Sequence, residues 1–397
     1  MTEEPFVFHL ERPRQNFSVV EAAMAVARAN GRSPFGQAAD LLRLRRGPGK
    51  LDADEYYAFR LWDRTRFSPA EAAAFAGRAR QQEDAALVND PSWYALGQDK
   101  LAAGAVLEGL GLPVPPILAI LHESRGGPSL PALRDRESLA RHLREEIAYP
   151  FFGKPIGGSY SVGVLGVEAY EADGDRLRLA NGRHIALTDY VERLFEAYEQ
   201  KTRYNVDGFV FQALLRPHPE LAAITGSATL PTIRVVLLID EGEASLFRAC
   251  WKIPAGENQA DNFWRKGNLL APIDVTTGQV GEALRGTGLE QERLSHHPDT
   301  GAAIAGAVLP DWAELIYLAR EATSAFPGMQ MQGWDIALTD RGPRLIEVNG
   351  VGDYNLPQIA YGRGLLDRDF LAFLQRCRAR KNRKVPPLPQ VARGTVQ

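Results

Sequence analysis

The chain has 397 residues, of which 45% are hydrophobic and 24% are charged, and its formal net charge is −3 at pH 7. This length exceeds that of one ordinary domain and predicts two or three lobes, with enough apolar residues for a core. The near-neutral charge argues against a nucleic-acid partner, because such proteins usually present a strongly basic surface.

The sequence also lacks common targeting features. The opening stretch MTEEPFVFHLERPRQ has no apolar run of the kind found in signal peptides, and no stretch approaches 18 uninterrupted apolar residues. Cys250 and Cys377 form no spacing motif and are interpreted as reduced thiols. We therefore expect a cytoplasmic protein without a membrane span. The oligomeric state stays open.

Residues 17 to about 90 predict helices. Ser18 is placed to cap a first helix that Gly31 ends. The segment Ser68-Pro69-Ala70-Glu71 is a capping box with proline at the first helical position, and its helix is expected to run to about Val88. Because this region shows neither alternating strands nor a catalytic cluster, it is interpreted as a structural or docking layer.

From Asp90 onward the pattern predicts both helices and strands. A helix is expected from Asp90 to Gly111, and further helices are expected at 136–146, 188–201, 311–325 and 367–380. Strands are predicted at 117–121, 151–154, 162–170, 176–179, 208–214, 232–239 and 244–253, and a hairpin at 333–349. The proline-rich end of the chain is expected to be disordered.

The hairpin segment GWDIALTDRGPRLIEVNG, residues 333–350, predicts a metal site. A turn centred on Arg341 places Asp335 directly opposite Glu347, and the two-residue period puts Asn349 on the same face. Opposed carboxylates repel one another by up to about 1 kcal/mol, so a cation is expected between them. Hard oxygen ligands in this number suit Mg²⁺. Two alternatives stay open, a solvated acidic hairpin and a register shifted by one residue.

A second segment, FFGKPIGGSYSVGV at residues 151–164, predicts a strand that ends near Lys154 and a flexible loop. Glycines let backbone N–H groups approach phosphate oxygens, and the lysine adds a positive charge. Neither GxxxxGK[ST] nor GxGxxG is present. An ordinary glycine-rich hairpin turn is the alternative.

Other candidate residues are less distinctive in isolation. Lys100 begins a predicted helix, and Arg234 lies inside the apolar strand TIRVVL, where it is either a salt-bridge partner or a phosphate ligand. A polar loop holds Asn262, Arg265 and Lys266. The two basic residues could bind an anionic group. They could also be solvated surface charges.

In their order along the chain, these segments resemble the ATP-grasp superfamily. The resemblance is carried by DKLAAGAVLEGLGLPVP, by the strand ending in Lys-Pro with GGSYSVGV, and by GWDIALTDRGPRLIEVNG, whose spacing is similar to that of D-alanine–D-alanine ligases. The segments FVFQALLRPHPEL, ADNF, IDVTTGQV and HPDTG are similar to the sugar-transfer-associated ATP-grasp family. The resemblance covers about residues 50 to 376.

The resemblance implies an α+β fold in which two α+β lobes clasp ATP, with an N-terminal helical extension. The helical region would occupy residues 1–95 and the ATP-grasp domain residues 96–380. Within that domain the lid lobe would span about 118–208 and the metal-binding lobe about 209–380. A flexible tail would follow at 381–397.

The resemblance also implies roles for the matching residues. ATP phosphates would be contacted by Lys100, Lys154 and the loop with Gly157, Gly158, Ser159 and Ser161. The adenine hinge would be formed by Gln212, Ala213, Leu214 and Leu215, and the ribose would be reached by His218 or Glu220. Arg234 would neutralise the transferred phosphoryl group. Magnesium would be held by Asp335, Glu347 and Asn349.

The implied activity is that of a Mg-ATP-dependent carboxylate–amine ligase. The γ-phosphoryl group would pass to an acid, and an amine would attack the acyl phosphate, with small-molecule or sugar-linked substrates. Such a step depends on positioning and charge neutralisation. Given that activity, a substrate carboxylate beside the γ-phosphate of ATP would need further cations, and Arg265 and Lys266, beside Asn262, are the candidates to supply them. The alternatives are a kinase that phosphorylates a hydroxyl and a non-catalytic nucleotide-binding protein. Because the helical N-terminal region departs from the Rossmann-like lobe of many ATP-grasp enzymes, the acceptor is not implied.

Overall fold

The computed structural model describes residues 17–157, 163–199, 207–350 and 352–382. The helices in these ranges are α1 (Val19–Asn30), α2 (Pro34–Arg46), α3 (Ala53–Ala58), α4 (Pro69–Ala73), α5 (Arg78–Val88), α6 (Tyr94–Gln98), α7 (Lys100–Gly109), α8 (Arg136–Glu145), α9 (Leu187–Glu199), α10 (Pro219–Thr225), α11 (Trp312–Ala322), α12 (Asn355–Tyr361) and α13 (Arg368–Asn382). The strands are β1 (Ile117–Leu121), β2 (Ala132–Leu133), β3 (Phe151–Pro155), β4 (Leu165–Glu171), β5 (Arg176–Leu179), β6 (His184–Ala186), β7 (Phe209–Ala213), β8 (Thr232–Asp240), β9 (Glu243–Ile253), β10 (Leu269–Pro272), β11 (Ala283–Arg285), β12 (Glu292–Leu294), β13 (Met331–Thr339) and β14 (Gly342–Asn349). The predicted α+β fold is confirmed.

The first sheet contains β1 to β7 in the order β2-β1-β7-β3-β4-β5-β6. Strands β1 and β2 pair in parallel, and the other neighbours are antiparallel. One face packs on α8 and α9 through a core that includes Phe151 and Phe211. Because side chains alternate along a strand, Phe152 and Lys154 of β3 point to the other face. That face borders the candidate site.

The second sheet contains β8 to β14 in the order β12-β11-β10-β9-β8-β13-β14, with antiparallel neighbours throughout. Ile233, Val235 and Leu237 of β8 pack into a large core with α11. Thr232 and Arg234 therefore point to the opposite face. This face carries the polar side chains of the candidate site.

The N-terminal region is helical, as predicted. The Ser18 side chain accepts a hydrogen bond from the Glu21 N–H at the start of α1, and Gly31 ends that helix with a φ of 75°, which favours glycine. Beyond α1, Tyr56, Trp62 and Phe75 share a buried cluster with Cys250, Phe263, Leu270 and Leu356 of the C-terminal half. The N-terminal helices and the second sheet thus share one core.

The predicted helix from Ser68 to Val88 is wrong in its length. The capping box at Ser68 forms as expected, but α4 ends at Ala73 and α5 begins at Arg78. The Gln358 side chain bonds to both the N–H and the C=O of Ala76, and the Leu366 N–H donates to Ala74 O. These contacts take the backbone groups that a continuous helix would need.

The helix predicted from Asp90 to Gly111 is likewise divided. A 3₁₀ turn at Pro91–Trp93 leads into α6, and Asp99 separates α6 from α7. The Asp99 side chain accepts hydrogen bonds from the Leu101 and Ala102 N–H groups, so it caps α7. The predicted domain boundary at residue 95 lies inside α6 and stays a prediction.

None of the helices in the described ranges has the length and apolarity that a membrane crossing requires. Helix α13 ends at Asn382, and the remainder of the predicted tail, residues 383–397, lies outside the described residues.

Candidate functional site

A cleft of about 1440 Å³ is lined by residues of both sheets and of the N-terminal helices. It brings together most of the residues that the sequence singled out, although they are spread over about 250 positions of the chain. Those that line the cleft are Lys100, Lys154, Gln212, Ala213, Leu214, Leu215, Arg234, Asn262, Arg265, Asp335, Glu347 and Asn349.

The hairpin β13–β14 places Asp335 directly opposite Glu347, which is the predicted pairing. At the turn, however, Thr339 pairs with Gly342, and an unbroken ladder from there would leave Asp335 opposite Ile346. A β-bulge adds one residue to β14 and restores the pairing. The expected register is correct, but a bulge produces it rather than a turn centred on Arg341.

A row of polar side chains crosses the second sheet. Arg234 of β8 lies opposite Asp335 of β13 and Cys250 of β9, and Asp335 lies opposite Glu347 of β14. Directly opposed residues point to one face, so all four side chains share the face that borders the cleft. Burial raises the pKa of the Cys250 thiol to about 12, which keeps it protonated and argues against a nucleophilic role.

Asp335 is the centre of an ion-pair network. Arg234 donates from Nε to Oδ1 at 2.6 Å and from Nη2 to Oδ2 at 3.0 Å, and the Lys252 Nζ donates to Oδ2 at 3.0 Å. Arg234 also donates from Nη1 to Asp353 Oδ2 at 3.2 Å. Burial alone would raise the pKa of the Asp335 carboxyl, but the charges of Arg234 and Lys252 outweigh burial and hold it well below its ordinary value. Asp335 is therefore anionic at neutral pH.

The donors Asp335, Glu347 and Asn349 fit a Mg²⁺ ion. A carboxylate has about four acceptor positions, and three of those on Asp335 are filled by Arg234 and Lys252, which leaves one. Glu347 keeps about a third of its side chain exposed, with the Lys100 Nζ 3.8 Å from Oε2. Within the described residues, the buried Nδ2 of Asn349 has no hydrogen-bond partner, and a half-turn of the amide would present its oxygen instead.

Among the described residues, no group of three or more His, Cys, Asp or Glu side chains gathers as at a metal centre. The hairpin set differs because it combines two carboxylates with an amide, which are hard oxygen donors.

Lys154 and Lys100 lie on the Glu347 side of the Asp335–Glu347 pair. Lys154 is buried, with 6% of its surface exposed. Burial, assisted by the positive charge of Lys100, lowers the pKa of Lys154 to about 8, and Glu347 offsets only part of this shift. An anion at this point would restore the ordinary pKa, so the two lysines form a site suited to phosphate oxygens.

The predicted hinge lies where β7 leaves the first sheet. The Ala213 N–H donates to Pro116 O and the Leu214 N–H to Pro150 O, so both amides are already committed. In the described part of the chain, the Leu215 amide makes no such backbone bond. Among the described residues of the predicted hinge, Leu215 thus keeps its amide uncommitted to the backbone, and the Gln212 side chain lines the cleft.

Two hinge-side candidates lie away from the cleft lining. His218 precedes α10, where its ring nitrogen Nδ1 accepts a hydrogen bond from the Glu220 N–H. Neither residue is among those that line the cleft. Of the predicted phosphate loop, Gly157 is described, whereas Gly158, Ser159 and Ser161 lie outside the described residues.

The loop that follows β9 is divided between cleft and surface. The Asn262 Oδ1 accepts from the Trp264 N–H at 3.0 Å and stabilises the turn. The Arg265 side chain is half-buried and lines the cleft, and burial lowers its pKa. Lys266 is exposed and does not line the cleft.

A family model matches the part of the chain that contains the two lysines, the paired arginine and the acidic hairpin. The model of the sugar-transfer associated ATP-grasp family matches residues 79–373, about three quarters of the chain. The chain belongs to this family. A comparison with curated proteins found no match.

Solved structures of ATP-grasp enzymes are similar to the chain at low identity. D-alanyl-alanine synthetase A from Vibrio cholerae is 14% identical over 79% of this chain and 70% of its own, with a TM-score of 0.41. D-alanine–D-alanine ligase from Bacillus anthracis is 13% identical over 76% and 75%, with a TM-score of 0.38. An L-amino acid ligase from Bacillus licheniformis is 15% identical over 67% of this chain, with a TM-score of 0.34, and the chain spans 43% of that protein.

The site of this ATP-grasp protein also contains charged residues that the sequence interpretation missed. Lys252 binds Asp335, and its Nζ lies 3.6 Å from the buried Asp261, whose Oδ2 accepts from the Thr232 N–H. A weaker signal for Lys252 was present, because it stands between the apolar residues Trp251 and Ile253 of a strand, although the same strand also contains Arg248. Asp353 had no such signal, because it follows the hairpin in an irregular segment.

Proposed function

We propose that this protein uses Mg-ATP to activate a carboxylic acid as an acyl phosphate, which an amine then attacks. The observation that carries the proposal is the position of Arg234. It is fixed by Asp335 and Asp353, and it lines the cleft together with the two lysines and with Asn262 and Arg265 of the loop that follows β9. A guanidinium held there is placed to stabilise the charge of a phosphoryl group in transfer.

The acids beside Arg234 favour a carboxylate as the acceptor of the phosphoryl group. A hydroxyl must lose its proton when it is phosphorylated, and kinases supply an aspartate for that purpose. Here Asp335 and Asp353 bind Arg234, and Asp261 binds Thr232. A carboxylate substrate arrives without a proton and needs no such base. This difference supports a ligase over a kinase.

The remaining roles follow from the lining of the cleft. Lys100 and Lys154 would bind the phosphates of ATP, and the hinge at Gln212 and Leu215 would read the adenine. Asp335, Glu347 and Asn349 would hold magnesium, which neutralises charge on the β- and γ-phosphates. Acids and amines that are small molecules or are linked to sugars would be the substrates.

The proposed reaction has two steps. A carboxylate oxygen attacks the γ-phosphorus while the bond from that phosphorus to the β,γ-bridging oxygen breaks, and ADP leaves. The amine nitrogen then attacks the acyl carbon, phosphate leaves with the electron pair of the carbon–oxygen bond, and the nitrogen loses a proton. Arg234 stabilises the phosphoryl group in the first step and the departing phosphate in the second.

Hydroxylamine trapping tests this function. With Mg-ATP, a panel of amino, hydroxy and sugar acids, and hydroxylamine in place of the amine, we expect acid-dependent release of ADP and an equal amount of hydroxamate. Arg234→Met should abolish both signals. Formation of a stable phosphate ester without hydroxamate would instead identify a kinase, and the absence of any acid-dependent ADP would contradict catalysis of this kind.

A further inference from the structure

Three arginines gather outside the cleft, where the N-terminal helices meet β12 and the end of α12. Arg60 and Arg66 belong to the segment between α3 and α4, and Arg293 belongs to β12. The Arg66 Nη1 donates to the side-chain oxygen of Gln291 at 2.9 Å, and the Arg60 Nη1 donates to the main-chain oxygen of the same residue at 3.5 Å. None of these four residues lines the cleft. The group is therefore separate from the candidate site.

Arg66 and Arg293 converge on the main chain at Gly362, the residue that follows α12. A Cβ atom at Gly362 would lie 2.6 Å from Nη2 of Arg66 and 3.7 Å from Nη2 of Arg293. The glycine thus leaves room for two guanidinium groups at one point. Arg66 is partly exposed, and the side chains of Arg60 and Arg293 are 25% and 51% exposed. The three arginines are therefore open to solvent.

Among the described residues, no carboxylate lies within ion-pair distance of Arg66, and its hydrogen bond goes to the neutral amide of Gln291. Burial and the positive charges of Arg293 and Arg60 lower the pKa of Arg66, and the nearby Asp63 offsets only part of this shift. The protein thus brings a third guanidinium between two others without supplying a carboxylate partner for it.

The acids nearest to the group pair with the other two arginines. Asp63 Oδ2 lies 3.6 Å from Nη2 of Arg60, and Glu282 Oε2 lies 3.3 Å from Nη1 of Arg293. Both distances exceed those of the bidentate pairs that hold a guanidinium firmly. The group therefore keeps an excess of positive charge, which an anion bound beside Arg66 would neutralise.

The backbone at Arg60 indicates that its side chain has a specific role. Arg60 has a φ of 60°, and its N–H donates to Tyr57 O while the Leu61 N–H donates to Tyr56 O. This way of ending a helix usually places glycine at the left-handed position, because a Cβ atom is strained there. The guanidinium lies over the ring of Trp62 at 5.2 Å, and its bond to Gln291 brings it to the side of the group where Arg66 lies.

We propose that Arg60, Arg66 and Arg293 form a binding site for a phosphate group, carried either by inorganic phosphate or by a phosphate monoester. Guanidinium groups match the geometry of such oxyanions and donate paired hydrogen bonds to them. A phosphate monoester offers three acceptor oxygens and a charge of about −1.5 to −2 at pH 7, so it can bind more than one arginine at once. Lys154 in the cleft shows the same combination of burial and a like-charged neighbour. The inference goes beyond the proposed ligase function and does not depend on it.

Calorimetry with the cleft already occupied tests this site. The protein is saturated with Mg²⁺ and a non-hydrolysable ATP analogue, so that Lys100 and Lys154 are taken, and is then titrated at constant ionic strength with inorganic phosphate or with glucose 6-phosphate. We expect one phosphate group to bind per chain with a dissociation constant of about 1 mM or lower. Binding of both compounds supports recognition of the phosphate group alone. Binding of only one of them supports the site and identifies the source of its phosphate group.

Matched variants locate the binding. Arg66→Met and Arg293→Met should each weaken it by at least about tenfold, because each removes charge-assisted hydrogen bonds. The control is Arg285→Met, because Arg285 is a surface arginine of the neighbouring strand β11 whose charge is paired with Glu292. This variant should bind phosphate as the wild type does. As a second readout, phosphate should raise the Tm of the nucleotide-saturated wild type and leave that of Arg66→Met unchanged.

Three results would overturn the site. The first is the absence of saturable binding of either compound to the nucleotide-saturated wild type. The second is an affinity that Arg66→Met and Arg293→Met retain. The third is an equal loss of affinity in Arg285→Met, which would show a general attraction of anions to the surface. If Arg66→Met does not fold, Arg293→Met decides, because that side chain is half exposed and its removal leaves no buried gap.

Discussion

The two sheets that border the cleft differ in whether their buried charges are paired with opposite charges of the protein. On the second sheet, Arg234 and Lys252 are both paired with Asp335, and further acids stand beside each of them. On the first sheet, Lys154 is buried with Lys100 as a like-charged neighbour, and its pKa is lowered to about 8.

This difference indicates which buried charges the protein itself neutralises and which it leaves for a bound ligand to neutralise. The network around Asp335 is complete before any ligand binds, so Arg234 is held in place in advance of the reaction. Lys154 receives little compensation from the protein, and the counter-charge that it needs would come with the phosphates of ATP. Under the proposed function, the first sheet would bind the phosphates of ATP and the second would stabilise the phosphoryl group in transfer.

The largest effect is expected from removing the centre of the paired network. Asp335→Asn leaves Arg234 and Lys252 buried without their shared carboxylate, and loss of one partner of a buried ion pair costs about 3–5 kcal/mol. Urea denaturation should show a decrease of this size in the free energy of unfolding.

A matched control is Asp240→Asn. Asp240 also has two arginine partners, Arg376 and Arg380, but its side chain is 26% exposed. Solvent weakens such pairs, so the expected loss is below about 1 kcal/mol. Equal losses of unfolding free energy in Asp335→Asn and Asp240→Asn would show that burial does not strengthen the network around Asp335.

Lys154→Met is expected to have the next largest effect on the free energy of unfolding. This variant should raise that free energy, whereas Asp335→Asn should lower it. The pKa of Lys154 in the folded protein, about 8, lies below its ordinary 10.5. Between these pH values the unfolded chain binds more protons, so the free energy of unfolding rises with pH. Below pH 8 the buried, protonated Lys154 destabilises the folded protein by the full amount. Removing the charge should therefore stabilise the ligand-free protein by on the order of 3 kcal/mol.

The test compares wild type and Lys154→Met at pH 7 and pH 10 in the absence of nucleotide. The advantage of the variant should shrink at pH 10, and its affinity for ATP should be at least about tenfold lower, as measured by calorimetry. A variant less stable than wild type at pH 7 would contradict an uncompensated charge at Lys154.

Glu347→Gln should separate catalysis from stability. The side chain is 32% exposed and its contact with Lys100 is long, 3.8 Å, so the free energy of unfolding should change by less than about 1 kcal/mol. Loss of an anionic metal ligand should lower kcat by roughly 100-fold, equivalent to about 2.7 kcal/mol. Near-normal magnesium-dependent turnover would contradict the role of Glu347 as a metal ligand. The control is Glu292→Gln, a change of the same kind on the surface.

The smallest effect is expected at the hinge. Under the proposed function the Gln212 side chain bonds to adenine. Gln212→Leu would remove that hydrogen bond and keep the size of the residue, so KM for ATP should rise about three- to tenfold while kcat stays close to wild type. A comparison of ATP with GTP should show weaker discrimination in the variant. An unchanged KM and an unchanged discrimination would assign base recognition to the backbone alone.

The sequence was sufficient for those parts of the site that depend on short stretches. The pairing of Asp335 with Glu347 follows from the two-residue period of one hairpin, and Arg234 is recognisable because it is a lone cation in an apolar strand. The same reasoning points to Lys252 but does not distinguish it from Arg248 of the same strand, which binds Asp367 and does not line the cleft. It could not give the β-bulge in β14, which changes the register without a glycine or proline signal.

Features that depend on contacts between distant segments could not be predicted. The break between α4 and α5 is produced by Gln358 and Leu366, nearly 300 residues away along the chain. The N-terminal layer lines the cleft because its helices share one buried cluster with residues of the C-terminal half, among them Trp62 and Leu356. Local propensity carries no information on either contact.

The transfer of oxygen from the acid to phosphate tests the central claim most directly. An acid that stimulates ADP release is prepared with ¹⁸O in its carboxylate and is incubated with Mg-ATP, the protein and an amine acceptor. Attack by the carboxylate on the γ-phosphorus predicts that one ¹⁸O atom appears in each inorganic phosphate released, as measured by mass spectrometry. Unlabelled phosphate would show that water, and not the acid, receives the phosphoryl group, and would contradict the account.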